Sequence, residues 1–217
     1  MLKVGLTGGI ACGKNVVRHR LTELEAYTLD ADAIAHELMA PGTGLTLEIK
    51  SAFGAQMLTV DGAVDRAHLG ALVFENSEAR ERLNRIVHPR VLETQGERLR
   101  EAAARGEPAA IVDAALMIEV GTYRKYDFLV VVYCPRALQV ERLMKRDGSR
   151  RDEAVRRIDA QMPVDEKREY ADFVVDTSGS LEETKRQVDE LWIKLQELAR
   201  SKRNNAKAPS RKDAERD

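Results

Sequence analysis

The 217-residue chain has few cysteines, few aromatic residues and almost no net charge, and these shortages exclude several classes of protein. Two cysteines, Cys12 and Cys134, are too few for the disulfide framework of a small secreted domain. The 35 basic and 36 acidic residues leave a formal charge of −1, which argues against a dedicated binder of nucleic acids or membrane surfaces. The longest apolar runs, such as residues 128–133, are far shorter than the roughly 20 residues that span a bilayer.

A secretory targeting pattern is also missing from the start of the sequence. Residues 1–6 lead directly into a glycine-rich stretch, without the apolar region and the cleavage site of a signal peptide. The apolar content of 43% is nevertheless sufficient for a substantial core. The sequence therefore predicts a soluble, cytoplasmic, globular protein with reduced thiols, and nothing in it indicates an obligate protein partner.

Short apolar runs alternate with helical patterns along the chain, which predicts an α/β fold with a mainly parallel sheet. Five runs are strand candidates: residues 2–6, 26–29, 109–112, 128–133 and 173–175. Helical spacing covers residues 14–25, 181–199 and most of 33–53 and 66–106, with breaks expected at Pro41-Gly42, Asp61-Gly62 and His88-Pro89. Residues 201–217 have almost nothing to bury, and we expect them to be disordered.

The most specific local pattern follows the first strand and precedes the first predicted helix. It reads Gly8-Gly9-Ile10-Ala11-Cys12-Gly13-Lys14-Asn15 and matches the phosphate-binding loop pattern at every fixed position except the last. Glycines allow backbone N–H groups to point into an anion-sized nest, and the helix N-terminus adds a favourable dipole. Lys14 is then expected to reach the terminal phosphates of a nucleotide.

Two residues of this loop leave alternatives open. Asn15 stands where a Ser or Thr hydroxyl usually binds Mg²⁺. Its amide oxygen is an acceptable ligand on a longer arm, so the loop is either functional with altered metal affinity or binds nucleotide without turnover. Cys12 lies beside N–H groups and Lys14, so it is either a reactive thiolate or a small filler.

Carboxylates follow two of the predicted strands, at the edge where an open α/β sheet binds its ligands. Asp30 and Asp32 come after the second strand, and we interpret Asp30 as a helix cap and Asp32 as a catalytic base. An Asp in this position is also often only a cap. Asp113 ends the third strand and is either a partner of Mg²⁺ or a solvated turn residue.

Blocks of residues along the chain resemble the bacterial dephospho-CoA kinase family. They are residues 5–10 with Gly13-Lys14, Asp30-Ala31-Asp32 with Pro41-Gly42, residues 61–66, the stretch Leu83-Asn84-Arg85-Ile86-Val87-His88-Pro89, residues 142–147, Arg157-Ile158 and Gln161. The blocks extend from residue 4 to about residue 185, and other phosphate-loop kinases do not carry the stretch 83–89. Ala11, Cys12, Asn15, Ala115 and Thr177 depart from the family's usual residues, and only Asn15 affects a catalytic position.

The resemblance implies that Mg²⁺ and ATP phosphorylate the 3′-hydroxyl of dephospho-CoA, which gives CoA and ADP in the last step of CoA synthesis. It also implies a phosphate-loop, nucleoside-monophosphate-kinase-like fold with a five-stranded parallel sheet flanked by helices. The implied divisions of a single domain, residues 1–200, are a core of 1–32, 107–140 and 171–200, a helical substrate region of about 33–106 and a lid of about 141–170.

The family's functional residues are carried over position by position. Lys14, Asp32 and Arg142 are implied to be catalytic, and Asp32, Arg66, Asn84 and His88 to bind the substrate. The implied ATP-binding residues are Gly8, Gly9, Ile10, Ala11, Cys12, Gly13, Lys14, Asn15, Val16, Arg142 and Arg146. Arg142 and Arg146 are one helical turn apart, in an arginine-rich segment that suits a closing lid. His88-Pro89 is equally consistent with a turn before a helix, and Arg66 with a surface ion pair to Asp65.

Two other functions remain possible from the residues alone. One is a nucleoside or nucleotide kinase of the same fold, which the blocks between residues 61 and 89 disfavour. The other is a regulatory protein that binds nucleotide and has lost its metal site through Asn15, which the retention of Asp32 and the lid arginines disfavours.

Overall fold

The computed structural model of the protein describes residues 1–207. The described chain divides into two compact units, one formed by residues 1–29 and 102–207, the other by Asp30–Glu101. The strands are β1 (Leu2–Gly8), β2 (Tyr27–Asp30), β3 (Ala109–Asp113), β4 (Phe128–Tyr133) and β5 (Phe173–Asp176). The helices of the described residues are α1 (Lys14–Glu23), α2 (Ala31–Leu38), α3 (Gly44–Phe53), α4 (Arg66–Glu75), α5 (Ser77–Ala104), α6 (Arg136–Asp147), α7 (Arg151–Asp159), α8 (Val164–Arg168) and α9 (Leu181–Lys207).

The five strands form one sheet in the order β2-β3-β1-β4-β5. The pairings of β1 with β3, β1 with β4 and β4 with β5 are parallel. Every residue of β3 is buried, and β1 and β4 are buried along almost their whole length, because helices cover both faces of such a sheet. The predicted α/β fold is therefore confirmed.

Three strands finish on an aspartate that directly follows an apolar run: Asp30, Asp113 and Asp176. The apolar pattern stops one residue earlier in each case. Backbone pairing continues nevertheless, since Asp113 pairs with Leu6 and Asp176 with Tyr133 across the sheet. The carboxylates of β3 and β5 thus lie at the carboxyl edge of the sheet.

The core of the first unit lies between the sheet and helices α1 and α9. The predicted apolar face of α9 is confirmed, since Val188, Leu191, Trp192 and Leu195 are buried there. The expected start of a disordered tail at residue 201 is wrong, because α9 continues to Lys207. Lys202 pairs with Asp127 at 2.5 Å, and Arg203 donates to the backbone carbonyls of residues 106 and 107, so polar contacts hold this last part. The rest of the predicted tail lies outside the described residues.

The second unit contains helices α2 to α5 around a core of its own. Buried side chains of α2, α3 and α4, among them Ile34, Ile49 and Leu69, pack there together with Val87 and Val91 of α5. The predicted helix break at His88-Pro89 is wrong, since α5 runs through Pro89. A proline inside a helix costs about 3 kcal/mol. Burial of Val87 and Val91 on either side of it contributes a comparable amount in the opposite direction.

None of the helices in the described part of the chain is both long enough and apolar enough to cross a membrane.

Candidate active site

The phosphate loop connects the end of β1 to the start of α1. Ala11 and Gly13 both adopt left-handed backbone conformations, with φ values of 60° and 84°. A side chain at Gly9 would collide with Gln139, because an added Cβ lies 2.4 Å from the Nε2 atom of that residue. Left-handed residues in such a loop direct backbone N–H groups into a concave nest, and the N-terminus of α1 follows it directly. This geometry can bind phosphate groups.

Three side chains from distant parts of the first unit hold the loop in place. Gln139 of α6 donates to the carbonyl of Ile10 at 2.8 Å, and Gln161 accepts from the N–H of Ile10 at 3.0 Å. Thr177, after β5, donates through its Oγ1 atom to the carbonyl of Cys12 at 2.7 Å. The sequence analysis did not predict this support. Gln139 is buried on amphipathic α6, and a glutamine among apolar positions of such a helix is a weak sequence signal of a buried hydrogen bond.

Lys14 and Arg18 lie one turn apart on α1 and both contact Asp113. The ammonium group of Lys14 forms an ion pair with one carboxylate oxygen, and Arg18 Nε lies 3.1 Å from the other. The side chain of Asp113 is only 1% exposed, so the alternative of a solvated turn residue is wrong. The sequence analysis missed Arg18, although its i,i+4 spacing from Lys14 is a usable signal.

The fold implies a divalent cation bound together with ATP. The described residues contain no group of three or more His, Cys, Asp and Glu side chains that is arranged to hold a metal ion. Mg²⁺ in kinases needs no such group, because it is held by one or two protein oxygens and by phosphate oxygens. The exposed Asn15 in the first turn of α1 supplies an amide oxygen that suits a hard divalent cation. Both oxygens of the buried Asp113 face Lys14 and Arg18, so Asp113 fits such a cation only when these ion pairs open.

A cavity of about 300 Å³ adjoins the phosphate loop, and it is lined by Gly13, Val16, Arg142, Thr177, Gly179 and Leu181. The guanidinium group of Arg142 donates to Thr177 twice, to Oγ1 at 3.0 Å and to the backbone carbonyl at 2.6 Å. The structure therefore brings Arg142 and Val16 together beside the loop.

Arg146 has different partners from Arg142, although both are on α6. It forms an ion pair with Asp147 at 2.7 Å, and Arg157 of α7 contacts the same carboxylate. Hydrogen bonds from Arg146 and Arg157 lower the pKa of Asp147 to about 2. Arg157 therefore ties α7 to α6 through Asp147, whereas Arg146 pairs within α6 and is not among the residues that line the cavity.

The side chain of Cys12 packs in the core against Cys134. Its side chain is fully buried, and its Sγ atom lies 3.6 Å from that of Cys134, directly after β4. The thiol–thiol hydrogen bond and burial raise the pKa of Cys12. Of the two alternatives for Cys12, the structure disfavours the reactive thiolate, because the thiol contact and burial outweigh the backbone N–H groups of Gly9 and Cys134, which lower the pKa.

The remaining predicted site residues belong to the second unit. Asp30 is the cap of α2, as predicted, and its carboxylate accepts from the N–H groups of residues 32 and 33 at 2.9 and 3.0 Å. Asp32 is exposed in the first turn of α2. Arg66 contacts His36 Nδ1 at 2.7 Å. The ion pair of Arg66 with Asp65 is not observed, since Asp65 caps α4 by accepting from the N–H of residue 68.

Asn84 and His88 are exposed and lie one turn apart on α5. The uninterrupted helix places them on one face of it. This excludes the alternative of a turn at His88. The exposed face of α5 that carries Asn84 and His88 can contact a ligand.

A buried lysine, Lys167, holds the segment that follows Asp113, and its burial was not predicted from the sequence. Lys167 of α8 is fully buried, pairs with Glu119 at 2.8 Å and donates to the carbonyl of Ala115 at 2.9 Å. Thr7 of β1 donates to the same carbonyl at 3.0 Å. Hydrogen bonds to the carbonyl of Ala115 thus connect the segment after Asp113 to both β1 and α8. Lys167 lies in a highly charged segment that is typical of a solvated surface, so no local pattern distinguishes it.

Removing Glu119 is expected to cost more stability than removing Lys167. Glu119→Ala leaves a fully buried ammonium group without its carboxylate, and we expect a loss of about 3 kcal/mol, or roughly 6–12 °C in Tm. Lys167→Met is expected to cost about half as much, because the carboxylate of Glu119 is 21% exposed and can be hydrated.

Thermal unfolding of both variants checks this order. Glu93→Ala removes a carboxylate that is 61% exposed and pairs with Arg90 on the surface, and it serves as the control with a change below about 1 kcal/mol. Equal losses for Glu119→Ala and Glu93→Ala would contradict the buried pair.

Comparisons with known proteins agree with this architecture. The model of the dephospho-CoA kinase family matches residues 2–183. The dephospho-CoA kinase of Geobacter metallireducens is 46% identical over 192 residues, which cover 88% of this chain and 96% of that protein. The corresponding protein of Geobacter sulfurreducens is 44% identical, with 88% and 97% covered.

Solved structures show the same relationship. The crystal structure of TT1252 from Thermus thermophilus has a TM-score of 0.77 and 32% identity and covers 89% of this chain and 97% of that one. The dephospho-CoA kinase of Campylobacter jejuni has a TM-score of 0.62 at 25% identity, with 89% and 96% covered. On the extent of the family match and the identity to these relatives, the chain belongs to the dephospho-CoA kinase family.

Proposed function

We propose that the protein transfers the terminal phosphoryl group of ATP to the 3′-hydroxyl of dephospho-CoA and so forms CoA and ADP. The observation that carries this proposal is the phosphate loop, in which Lys14 is held by Asp113 at the carboxyl edge of the sheet, within a chain of this family. Phosphoryl transfer depends mainly on alignment and on neutralisation of charge, and this loop offers N–H donors and the cation of Lys14 for both.

In the proposed reaction, the nest of the loop binds the phosphates of ATP and Lys14 stabilises the phosphoryl group in transfer. Arg142 borders the cavity beside the loop and contacts the nucleotide there. Arg146 joins it at the phosphates when the lid of about 141–170 closes, which requires its ion pair with Asp147 to open. Mg²⁺ would supply charge neutralisation at the phosphate oxygens when bound. Asn15 would hold it, and Asp113 would join once Lys14 leaves its carboxylate for the phosphates.

The acceptor is handled by residues of the second unit. Asp32 is exposed and its carboxylate does not cap α2, so this carboxylate is available to accept the proton of the attacking hydroxyl. Arg66, Asn84 and His88 are proposed to bind dephospho-CoA. Arg66 suits the diphosphate of this substrate, because guanidinium groups bind phosphates through two hydrogen bonds.

The proposal includes a cytoplasmic location and small-molecule substrates without nucleic acid or membrane. The near-neutral charge supports the part of it that concerns nucleic acids and membrane surfaces.

An acceptor panel tests the proposal directly. Release of ADP from Mg²⁺-ATP is measured with dephospho-CoA, adenosine, AMP and dCMP as acceptors. We expect turnover with dephospho-CoA to exceed turnover with the others by at least about 10³-fold, since the lost contacts to the pantetheine diphosphate correspond to several kcal/mol. A preference for a nucleoside or a nucleoside monophosphate would replace this function with the related kinase activity.

Asn15 gives a separate prediction about the metal. Asn15→Ser places a compact hydroxyl at the position of the longer amide, and we expect the Mg²⁺ concentration for half-maximal activity to fall about 3- to 10-fold. A Mg²⁺ titration at saturating ATP measures this change. An unchanged titration in Asn15→Ser would show that residue 15 does not contact the metal. A wild-type protein that binds ATP but shows no turnover would support the regulatory alternative.

A further inference from the structure

The two cysteines of the chain are in contact, and one of them is part of the phosphate loop. Both side chains are fully buried, and their Sγ atoms are 3.6 Å apart although 122 residues separate them in sequence. A disulfide bond has an S–S distance of about 2.05 Å, so the sulfurs need to approach by only about 1.5 Å. We propose that Cys12 and Cys134 form a reversible disulfide when a peroxide oxidises them, and that this cross-link disables the phosphate loop.

The surroundings of the two thiols assign their roles in the oxidation. The contact with Cys12 and the positive charge of Arg142 lower the pKa of Cys134, whereas the thiol hydrogen bond and burial raise that of Cys12. Cys134 is therefore the thiol that ionises and attacks, and Cys12 is the resolving thiol beside it. Burial keeps the pair from reacting until the loop opens locally and admits a small oxidant.

The chemistry balances with hydrogen peroxide as the oxidant. The thiolate of Cys134 attacks one peroxide oxygen, an S–O bond forms as the O–O bond breaks, and the hydroxide that leaves takes up the thiol proton as water. The sulfur of Cys12 then attacks the sulfur of Cys134, the S–S bond forms as the S–O bond breaks, and a second water leaves. Two thiols lose two electrons and two protons, and one peroxide becomes two waters.

The cross-link acts on the loop through the backbone of Cys12. The N–H of Cys12 donates to the carbonyl of Gly9 at 3.1 Å, and its carbonyl accepts from Thr177 at 2.7 Å. Moving the sulfur of Cys12 toward Cys134 strains both bonds and displaces the segment between Gly9 and Lys14. Because that segment forms the nest, we expect nucleotide affinity to fall when the disulfide forms.

The experiment uses the full chain and needs no acceptor substrate. Purified protein is treated with hydrogen peroxide, free thiols are counted after denaturation, and peptides from a non-reducing digest are identified by mass. We expect a linked pair of peptides containing Cys12 and Cys134, two hydrogen atoms lighter than the separate peptides. Binding of a fluorescent ATP analogue should weaken at least 10-fold and recover with dithiothreitol.

Cys134→Ala and Cys134→Ser are the matched controls, since both leave the phosphate loop intact. Thermal unfolding identifies which variant is folded, and that variant should bind the analogue with the same affinity before and after peroxide. Retention of both thiols in the wild-type protein would overturn the proposal, as would unchanged binding by the cross-linked protein or equal loss of binding in the control. These readouts concern the loop alone, so they separate this proposal from a failure of the proposed acceptor.

Discussion

Asp32→Asn should reduce turnover by a factor of about 10²–10⁴ and leave ATP binding almost unchanged. The substitution keeps the size of the side chain and removes the carboxylate that is proposed to accept the proton of the 3′-hydroxyl. Since Asp32 is exposed on α2 and is not its cap, the loss is expected in kcat and not in the stability of the fold. Initial rates at saturating dephospho-CoA and ATP, together with ATP affinity by titration, measure both parts.

The neighbouring Asp30 offers a matched control for this prediction. Its carboxylate caps α2 through two backbone N–H groups, and Asn is about as good a cap as Asp. Asp30→Asn is therefore expected to change turnover by less than about threefold. Near-wild-type turnover in Asp32→Asn would remove the role of base from Asp32.

Lys14→Met should reduce turnover by about 10²–10³-fold, because the transition state loses a cation at the transferring phosphoryl group. We expect only a small decrease in Tm, since Arg18 remains 3.1 Å from the buried carboxylate of Asp113 and still pairs with it. The measurement is kcat, with Tm recorded in parallel. Lys194→Met, an exposed lysine of α9, is the control and should match the wild-type protein.

A Lys14→Met variant that retains most of its activity would mean that the phosphoryl group is not stabilised from the loop. A loss of activity together with a large decrease in Tm would instead mean that Lys14 is needed for folding and not for stabilising the phosphoryl group. The prediction therefore depends on separating kcat from unfolding.

The phosphate loop and the sheet could be predicted from sequence because their signals are local. Gly8 to Lys14 is a continuous pattern between a strand and a helix, and residues 128–133 are a continuous apolar run whose bounds proved correct. The family was confirmed as well, because its blocks lie in the same order along the chain. The roles of Asp32, Arg66, Asn84 and His88 stay predictions, as does the movement of a lid at residues 141–170.

The contacts that support the loop could not be predicted, because they join residues far apart in sequence. Gln139 and Ile10 are 129 positions apart, and Lys167 and Ala115 are 52 positions apart. Nothing in a single sequence pairs them. The choice between the two alternatives for Cys12 was open for the same reason, since its contact Cys134 is 122 positions away.

At helix α5 a strong local signal gave the wrong prediction, because tertiary packing outweighs it. Pro89 favours a break, but burial of Val87 and Val91 in the core of the second unit keeps the helix continuous. A local sequence preference sets the end of a helix only where the burial of neighbouring side chains does not favour a different end.

The central claim is most directly tested by identifying the product formed from Mg²⁺-ATP and dephospho-CoA. Mass spectrometry and phosphorus NMR determine how much CoA forms and which hydroxyl carries the new phosphate, and ADP is measured in the same sample. The account predicts one CoA, phosphorylated at the 3′ position, for each ADP released. ADP release without CoA, or a phosphate on another hydroxyl, would contradict it.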